Sequence, residues 1–325
     1  YDPTYGDIIR VAGLVGFSRG KAAVIVSELS GRDPETRKVD ESRIPKAYDR
    51  LEAALLNIVK QYHFENFLMT IKSAGFIASS MIGSKNALNF AYALYLRLRE
   101  DKTVSEGERK QIVRRWFVMS MLTGRHSGSF ESTWEQDIRR IGTQGAAAYL
   151  KQIEESDLSD AYWNVTLPAA LETTSANGPF FQAFLASQVA THSRGFLSKS
   201  ITVEAMHQHS GDIHHIVPKD YLRKNGYPDR SDYNQVANYA LTETAINISI
   251  GNRSPADYMA VIHEQIQSGQ LRLGEISDEA DLDRNLAENA IPADLANVTA
   301  GSYPEFLIRR RLLMAESIRR YYQEL

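Results

Sequence analysis

Apolar residues recur at helical spacing along residues 1–190. In residues 45–62 they form one stripe, with members three and four positions apart, and Pro45 suits the first turn of a helix. Residues 64–82 and 86–99 are apolar over wide arcs, which is typical of helices buried in a bundle. The helical pattern continues in four further segments: 107–122, 131–153, 158–172 and 178–190. The sequence therefore predicts that this part of the chain is nearly all α.

The pattern changes after residue 190. Residues 191–200 are small and polar, which predicts an exposed connector or a domain boundary. Residues 211–217 and 239–242 are predicted to form short strands, because each is a brief run bounded by polar and turn-forming residues. The polar residues 219–237 between them are predicted to form a long loop.

Two more helices are predicted beyond the strands, at 255–268 and 304–325. Residues 275–294 contain seven acidic side chains and are predicted to form a solvated loop. We therefore expect a mainly α protein with two domains. A helical bundle would occupy 1–195, and a strand pair set in further helices, including the C-terminal one, would occupy 196–325.

Composition excludes several kinds of site. The chain contains no cysteine, which rules out disulfides, a Cys nucleophile, iron–sulfur clusters and thiolate zinc sites. Any metal would need His, Asn, Asp or Glu ligands. A net charge of −3 gives no overall nucleic-acid footprint, so DNA contact would depend on local patches. The longest apolar stretch, 76–96, is interrupted by polar residues, so we expect no membrane span.

No secretory leader is recognisable at the start, and the chain opens on Tyr1 instead of Met. We expect a cytoplasmic protein, or a fragment of a longer one that has a further domain upstream.

Histidines cluster where the strands are predicted. Four of the eight lie between positions 207 and 215, and two of them form the doublet His214-His215. Asn238 follows His215 after 23 residues, and Asn247 follows after a further nine. The doublet would then lie on a strand, Asn238 in a loop before the next strand, and Asn247 at a helix start. A one-metal nuclease hairpin requires this order.

Hydrolysis of a phosphodiester requires a general base that activates water and a divalent cation that binds the scissile phosphate. His215 is the predicted base. His214 and the amide oxygen of Asn247 are the predicted metal ligands. Asn238 joins the catalytic set because it can brace the loop that supplies a hydrogen-bond acceptor to the other ring nitrogen of the base.

The segments DIHHIVP (212–218) and NQVANYALTETAIN (234–247) resemble the HNH, or ββα-metal (His-Me finger), nuclease motif. In that motif an acidic residue or His, the base His and Ile-x-Pro precede a mid-loop Asn and a final His or Asn. The chain is similar in particular to the C-terminal nuclease domain of GmrSD-type modification-dependent restriction proteins, which include phosphorothioate-sensing antiphage effectors. Residues 115–125 also resemble the helical region that follows the sensor domain of such proteins.

The resemblance implies a ββα-metal hairpin, DNA as the substrate, and a divalent metal cofactor, Mg²⁺ or Mn²⁺. Many HNH enzymes have Asp where this chain has His214, and the softer imidazole ligand makes Mn²⁺ a candidate beside Mg²⁺. We expect a metal-dependent DNA endonuclease that nicks or cleaves, as the nuclease part of an antiphage restriction protein with an upstream sensor or NTPase domain. The alternative is an inactive hairpin in a DNA- or partner-binding helical module that regulates that domain.

Basic residues form three candidate DNA surfaces. Four flank the motif and either contact phosphates or stay solvated among interleaved acids: Lys219, Arg223, Lys224 and Arg253. Seven others either form a solvated helix face or contact DNA: Arg109, Lys110, Arg114, Arg115, Arg125, Arg139 and Arg140. On the C-terminal helix, Arg309 and Arg310 either contact DNA or pair with the acidic residues 275–294.

Two remaining features are expected to carry no chemistry. Residues 16–22 (GFSRGKA) have the wrong glycine spacing for a phosphate loop, and no Ser or Thr follows the Lys. We therefore expect no NTP site in this chain. His207 and His209 are expected to face solvent in a loop and to bind no metal.

Overall fold

The computed structural model describes residues 2–33, 36–209 and 211–325 and is mainly helical. Its described part contains one two-stranded antiparallel sheet. The chain divides into unit 1, Tyr1–Ser159 with Leu325, and unit 2, Asp160–Glu324. Each helix within the described ranges is too short or too polar to traverse a lipid bilayer.

Unit 1 is built from helices. They are α1 (Tyr5–Ala12), α2 (Ala22–Leu29), α3 (Ile44–Ile58), α4 (Gln61–Lys72), α5 (Lys85–Glu100), α6 (Glu106–Thr123), α7 (Phe130–Gln144) and α8 (Ala146–Asp157). Ser84 caps α5, because its hydroxyl accepts a hydrogen bond from the Ala87 amide. Gly124 ends α6 with a positive φ of 62°, a conformation that glycine adopts without strain.

Aromatic side chains fill the core of unit 1. Phe90 on α5 stacks on Trp116 of α6 with ring centroids 5.3 Å apart. Trp134 on α7 lies 6.1 Å from the same ring. Phe67 and Tyr95 are also buried, with their ring centroids 5.9 Å apart. Most aromatic residues of 64–95 therefore form core, as their wide apolar arcs predict.

The long helix predicted over 131–153 is two helices in the structure. The break falls at Gly145, whose φ of 82° and ψ of 151° lie outside the helical region. Only glycine adopts this backbone conformation readily, so α7 ends at Gln144 and α8 begins at Ala146.

Unit 2 contains both strands. Its elements are α9 (Leu167–Ala170), α10 (Pro179–Ala190), α11 (Val203–His209), β1 (Gly211–His215), α12 (Lys219–Lys224), α13 (Arg230–Tyr233), β2 (Tyr239–Glu243), α14 (Thr244–Ile250), α15 (Pro255–Ser268), α16 (Glu279–Glu288) and α17 (Tyr303–Glu324). Both predicted strands are present. The segment 219–237 between them, predicted as a loop, contains the short helices α12 and α13.

The domain boundary expected at residues 195 and 196 differs from the division between Ser159 and Asp160. Helix α10 packs against α17, and the Gln188 amide on α10 donates to the carbonyl of Glu288 on α16 at 3.1 Å. These contacts join α10 to unit 2 although its periodicity continues that of the preceding helices.

The prediction that residues 275–294 form a solvated loop is wrong. Their middle forms α16, capped by Asp278, with Leu282 and Leu286 buried four residues apart. Arg194 pairs with Asp281 at 2.8 Å and with Glu288 at 3.0 Å. Two of the seven acids therefore neutralise Arg194 within unit 2.

The C-terminal arginines are also used within unit 2. Arg309 forms two bonds to the Asp294 carboxylate, at 2.9 and 2.5 Å. Arg310 is fully buried and donates to the carbonyls of Ala237 and Asn289. Of the two expectations for these side chains, the structure shows the one in which Arg309 pairs with the acidic segment.

Candidate active site and metal centre

The strand pair and α14 bring three of the four predicted site residues together. In the antiparallel register His214 lies opposite Ala240 and His215 opposite Tyr239. Helix α14 follows β2 directly and presents Asn247. One cavity of about 300 Å³ is lined by Ile213, His214, His215, Pro218, Lys219, Asn247, Gly251 and Asn252.

His214 and Asn247 are in direct contact. The His214 Nδ1 atom lies 2.7 Å from the Asn247 Oδ1 atom. The Asn247 amide nitrogen donates a hydrogen bond to Asp212 Oδ2 at 3.3 Å, so a carboxylate lies next to Asn247. Because an amide oxygen only accepts, Nδ1 carries the ring proton in this bond, and the two atoms would serve as the predicted metal pair once that proton moves to Nε2.

Burial keeps His214 neutral. Its side chain is 3% exposed and stacks near the ring of Phe196 with centroids 6.0 Å apart. Desolvation lowers the pKa of His214 to about 4, against a partly compensating hydrogen bond to Asn247. The neutral imidazole is the form that binds metal ions, and in the bond to Asn247 its proton lies on Nδ1 and its lone pair on Nε2.

The His215 ring is fixed by a side chain on the loop between the strands. Its Nε2 atom lies 2.9 Å from the Asn234 Oδ1 atom. Because an amide oxygen can only accept, this bond assigns the proton to Nε2 and leaves a lone pair on Nδ1. Burial lowers the pKa of His215, the charge of Lys219 lowers it further, and the bond to Asn234 opposes both. A neutral imidazole with a free lone pair suits a general base.

Asn238 braces the chain that follows His215. It is fully buried, and its Oδ1 atom accepts from the Val217 amide at 2.8 Å. Its amide nitrogen donates to the carbonyls of Val217 and Tyr233 at 3.0 and 3.2 Å. The side chain does not line the cavity, so Asn238 is a positioning residue in this structure, consistent with the bracing for which the sequence selected it.

Two site residues were missed by sequence reasoning. Asp212 lies two positions before His214, and alternate residues of a strand share a face, so the alternation could have identified it. Asn234 carries no comparable signal, because it reaches His215 from the end of α13. His207 and His209 lie on α11 instead of in a loop, and neither lines the cavity.

The donor set fits a divalent ion with few protein ligands. Within the described ranges, no three His, Asp or Glu side chains converge on one point. His214 and Asn247 offer two neutral ligands, and Asp212 adds negative charge beside them. Such an ion would keep open positions for water or phosphate, as Mg²⁺ commonly does. The imidazole ligand is equally compatible with Mn²⁺.

The candidate phosphate-binding cations differ in their availability. Lys219 is exposed at the cavity, and in the described part of the chain Lys219, Lys224 and Arg253 make no ion pair. Arg223 pairs with Asp220 at 3.5 Å. Four residues of the 109–140 set pair with carboxylates of unit 1: Lys110, Arg115, Arg125 and Arg139. The motif's own cations are therefore freer to contact phosphate than that set.

Carboxylates accept hydrogen bonds from two backbone amides of residues 16–22. The Gly20 amide donates to Glu135 Oε2 at 2.7 Å, and the Ala22 amide donates to Glu131 Oε2 at 3.3 Å. A phosphate loop needs such amides for the nucleotide. Here acidic side chains of α7 are bonded to them.

Comparison of the chain with protein-family models, with curated proteins and with solved structures found no match.

Proposed function

We propose that this chain is a metal-dependent DNA endonuclease of the HNH type that nicks duplex DNA. One observation carries the proposal. A neutral His215, fixed through Nε2, lies in the same cavity as His214 and Asn247, whose side chains are hydrogen-bonded to each other through Nδ1 and Oδ1. A base and a metal pair side by side are the two elements that phosphodiester hydrolysis requires.

Each side chain has a separate task in this proposal. Nδ1 of His215 accepts a proton from the attacking water, while Asn234 holds the ring in the required tautomer. Lys219 at the cavity edge binds a backbone phosphate. His214 and Asn247 would hold Mg²⁺ or Mn²⁺, which offsets negative charge on the scissile phosphate and the leaving oxygen.

The biological setting rests on the resemblance to GmrSD-type restriction proteins. By that resemblance the chain acts in the cytoplasm as the nuclease part of a modification-sensing antiphage protein. Its partners would be DNA and an upstream sensor or NTPase domain of the same full-length protein.

A plasmid assay tests the proposal. Supercoiled DNA should convert to open circles with Mg²⁺ or Mn²⁺ and remain unchanged with chelator. His215→Ala should reduce the nicking rate by about 10²–10⁴-fold while leaving the fold intact. His209→Ala, at an exposed histidine on α11, is the matched control and should nick at the wild-type rate. Nicking by His215→Ala at the wild-type rate would show that the base is wrongly assigned.

One observation favours the alternative, an inactive module that binds DNA or a partner. No three His, Asp or Glu side chains converge within the described ranges, so any metal would depend on neutral ligands and one nearby carboxylate. That alternative predicts DNA or partner binding that does not depend on metal, with no open circles under any ion. The same assay, combined with a binding measurement, separates the two functions.

A further inference from the structure

Two large apolar side chains, one in the lining of the cavity and one on α14, face solvent. Ile213 lines the cavity and is 47% exposed, and Ile248, which follows Asn247 on α14, is 74% exposed. On α14, Ile246 and Ile250 lie two positions before and after Ile248 and are both buried. Burial of an isoleucine stabilises a fold by roughly 1.5–3 kcal/mol, and these two side chains forgo much of that gain.

Both isoleucines belong to the short elements that hold the site. Ile213 precedes His214 on β1, and alternation along a strand turns it away from the face of its buried neighbour. Ile248 is adjacent to Asn247, whose side chain is bonded to His214 and Asp212. Ile213 itself lines the cavity, and Ile248 lies between the cavity-lining residues Asn247 and Gly251. A substrate in the cavity would therefore meet these two side chains, which we call the apolar rim.

Cations accompany the apolar rim. Lys219 lines the same cavity and Arg253 follows α14, both are exposed, and neither forms an ion pair with another residue that the structure describes. A duplex presents phosphates that such cations attract, and sugars and base edges that apolar side chains contact or wedge between. This combination fits a DNA groove better than it fits a partner protein. A partner protein would have to place acidic side chains opposite Lys219 and Arg253, whereas phosphates border every DNA groove.

We propose that Ile213 and Ile248 insert into a groove of the DNA and contact its sugars and base edges next to the cut. The inference rests on the proposed nuclease function and names the part of the substrate that this surface reads. It has a distinct physical signature. Phosphate contacts release counterions and make affinity depend steeply on salt, whereas apolar contacts release none and leave the slope of log K against log salt unchanged.

The test measures binding of a duplex on the His215→Ala background, which prevents cleavage, at several KCl concentrations with Mg²⁺ present. Ile213→Thr combined with Ile248→Gln should weaken binding by about tenfold or more, through lost apolar contact. The slope of log K against log salt should not change. Lys219→Gln should instead flatten that slope by about 0.9.

Val165→Gln is the matched control. Val165 is 67% exposed in unit 2, and it is not among the residues that line the cavity. It should leave both affinity and slope unchanged, and thermal unfolding should show that all variants are folded.

The outcomes separate the two proposals. Affinity of the isoleucine double variant equal to that of the Val165 variant overturns the apolar rim. A change in sedimentation mass with unaltered DNA affinity also overturns it, because the isoleucines would then contact a second copy. Wild-type protein that binds DNA without nicking it overturns the nuclease function and leaves the rim to be decided by binding. Wild-type protein that binds no DNA overturns both.

Discussion

Replacement of Asn238 with alanine is expected to lower the free energy of unfolding of unit 2 by about 3 kcal/mol. The wild-type side chain forms three hydrogen bonds in a fully buried position, to the Val217 amide and to the carbonyls of Val217 and Tyr233. Each is worth about 1 kcal/mol, and the Val217 amide would be left without an acceptor. The backbone bond from the Ile216 amide to the Asn238 carbonyl would remain.

Urea unfolding measures the loss in free energy of unfolding, and hydrogen exchange over residues 211–243 shows where in the chain the loss occurs. The Val217 amide should exchange faster in Asn238→Ala, because its acceptor is gone. Nicking should fall with it, since the braced residues directly follow His215. Asn252→Ala removes an exposed asparagine at the cavity and should change stability by less than about 0.5 kcal/mol. If Asn238→Ala loses less than about 1 kcal/mol, the inferred brace does not exist.

Three further results are expected. The nicking rate should rise with pH to a plateau, with its midpoint below pH 6.5, because burial and Lys219 lower the pKa of His215 and only the neutral ring accepts a proton. Lys219→Gln should move this midpoint to higher pH, and an unmoved midpoint would contradict the assignment. With chelator present, the free energy of unfolding should be about 2 kcal/mol lower at pH 5 than at pH 7.5 because of His214, whose pKa is about 4 in the folded chain and 6.5 in the unfolded chain. The contribution of His214 to stability is complete above pH 6.5 and is lost as pH falls towards 4. His214→Gln should remove that pH dependence in urea titrations, and an identical dependence in both proteins would refute it. Asn247→Ala should weaken Mn²⁺ binding roughly tenfold or more by calorimetry, and a wild-type titration would show that the pairing is wrong.

The residues of the site could be selected from local sequence because their order follows one short motif. His214 and His215 lie on β1, Asn238 directly precedes β2 and Asn247 lies on α14, and the alternation of a strand or the start of a helix is visible within a few residues. The mainly helical character was equally accessible, since apolar spacing reports which face of each helix is buried.

The hydrogen-bond and ion-pair partners of those residues could not be predicted from the sequence. Asn234 lies 19 positions after His215, and nothing in the spacing distinguishes it from other polar residues there. The prediction of a solvated loop over residues 275–294 was wrong for the same reason, because Arg194, which pairs with Asp281, lies 87 positions before it in the chain. Charge along the chain does not reveal which opposite charge the fold places beside it.

For this protein the sequence alone determined the helical periodicity, the two strands and the order of the candidate chemistry, because these depend on residues close together in the chain. Only the tertiary structure decided that α10 belongs to unit 2 and that Asn238 is a buried brace. It also decided which cations stay free of carboxylates and which ring nitrogen of His215 is occupied. Those properties depend on burial and on hydrogen bonds between residues far apart in the sequence, which exist only once the chain has folded.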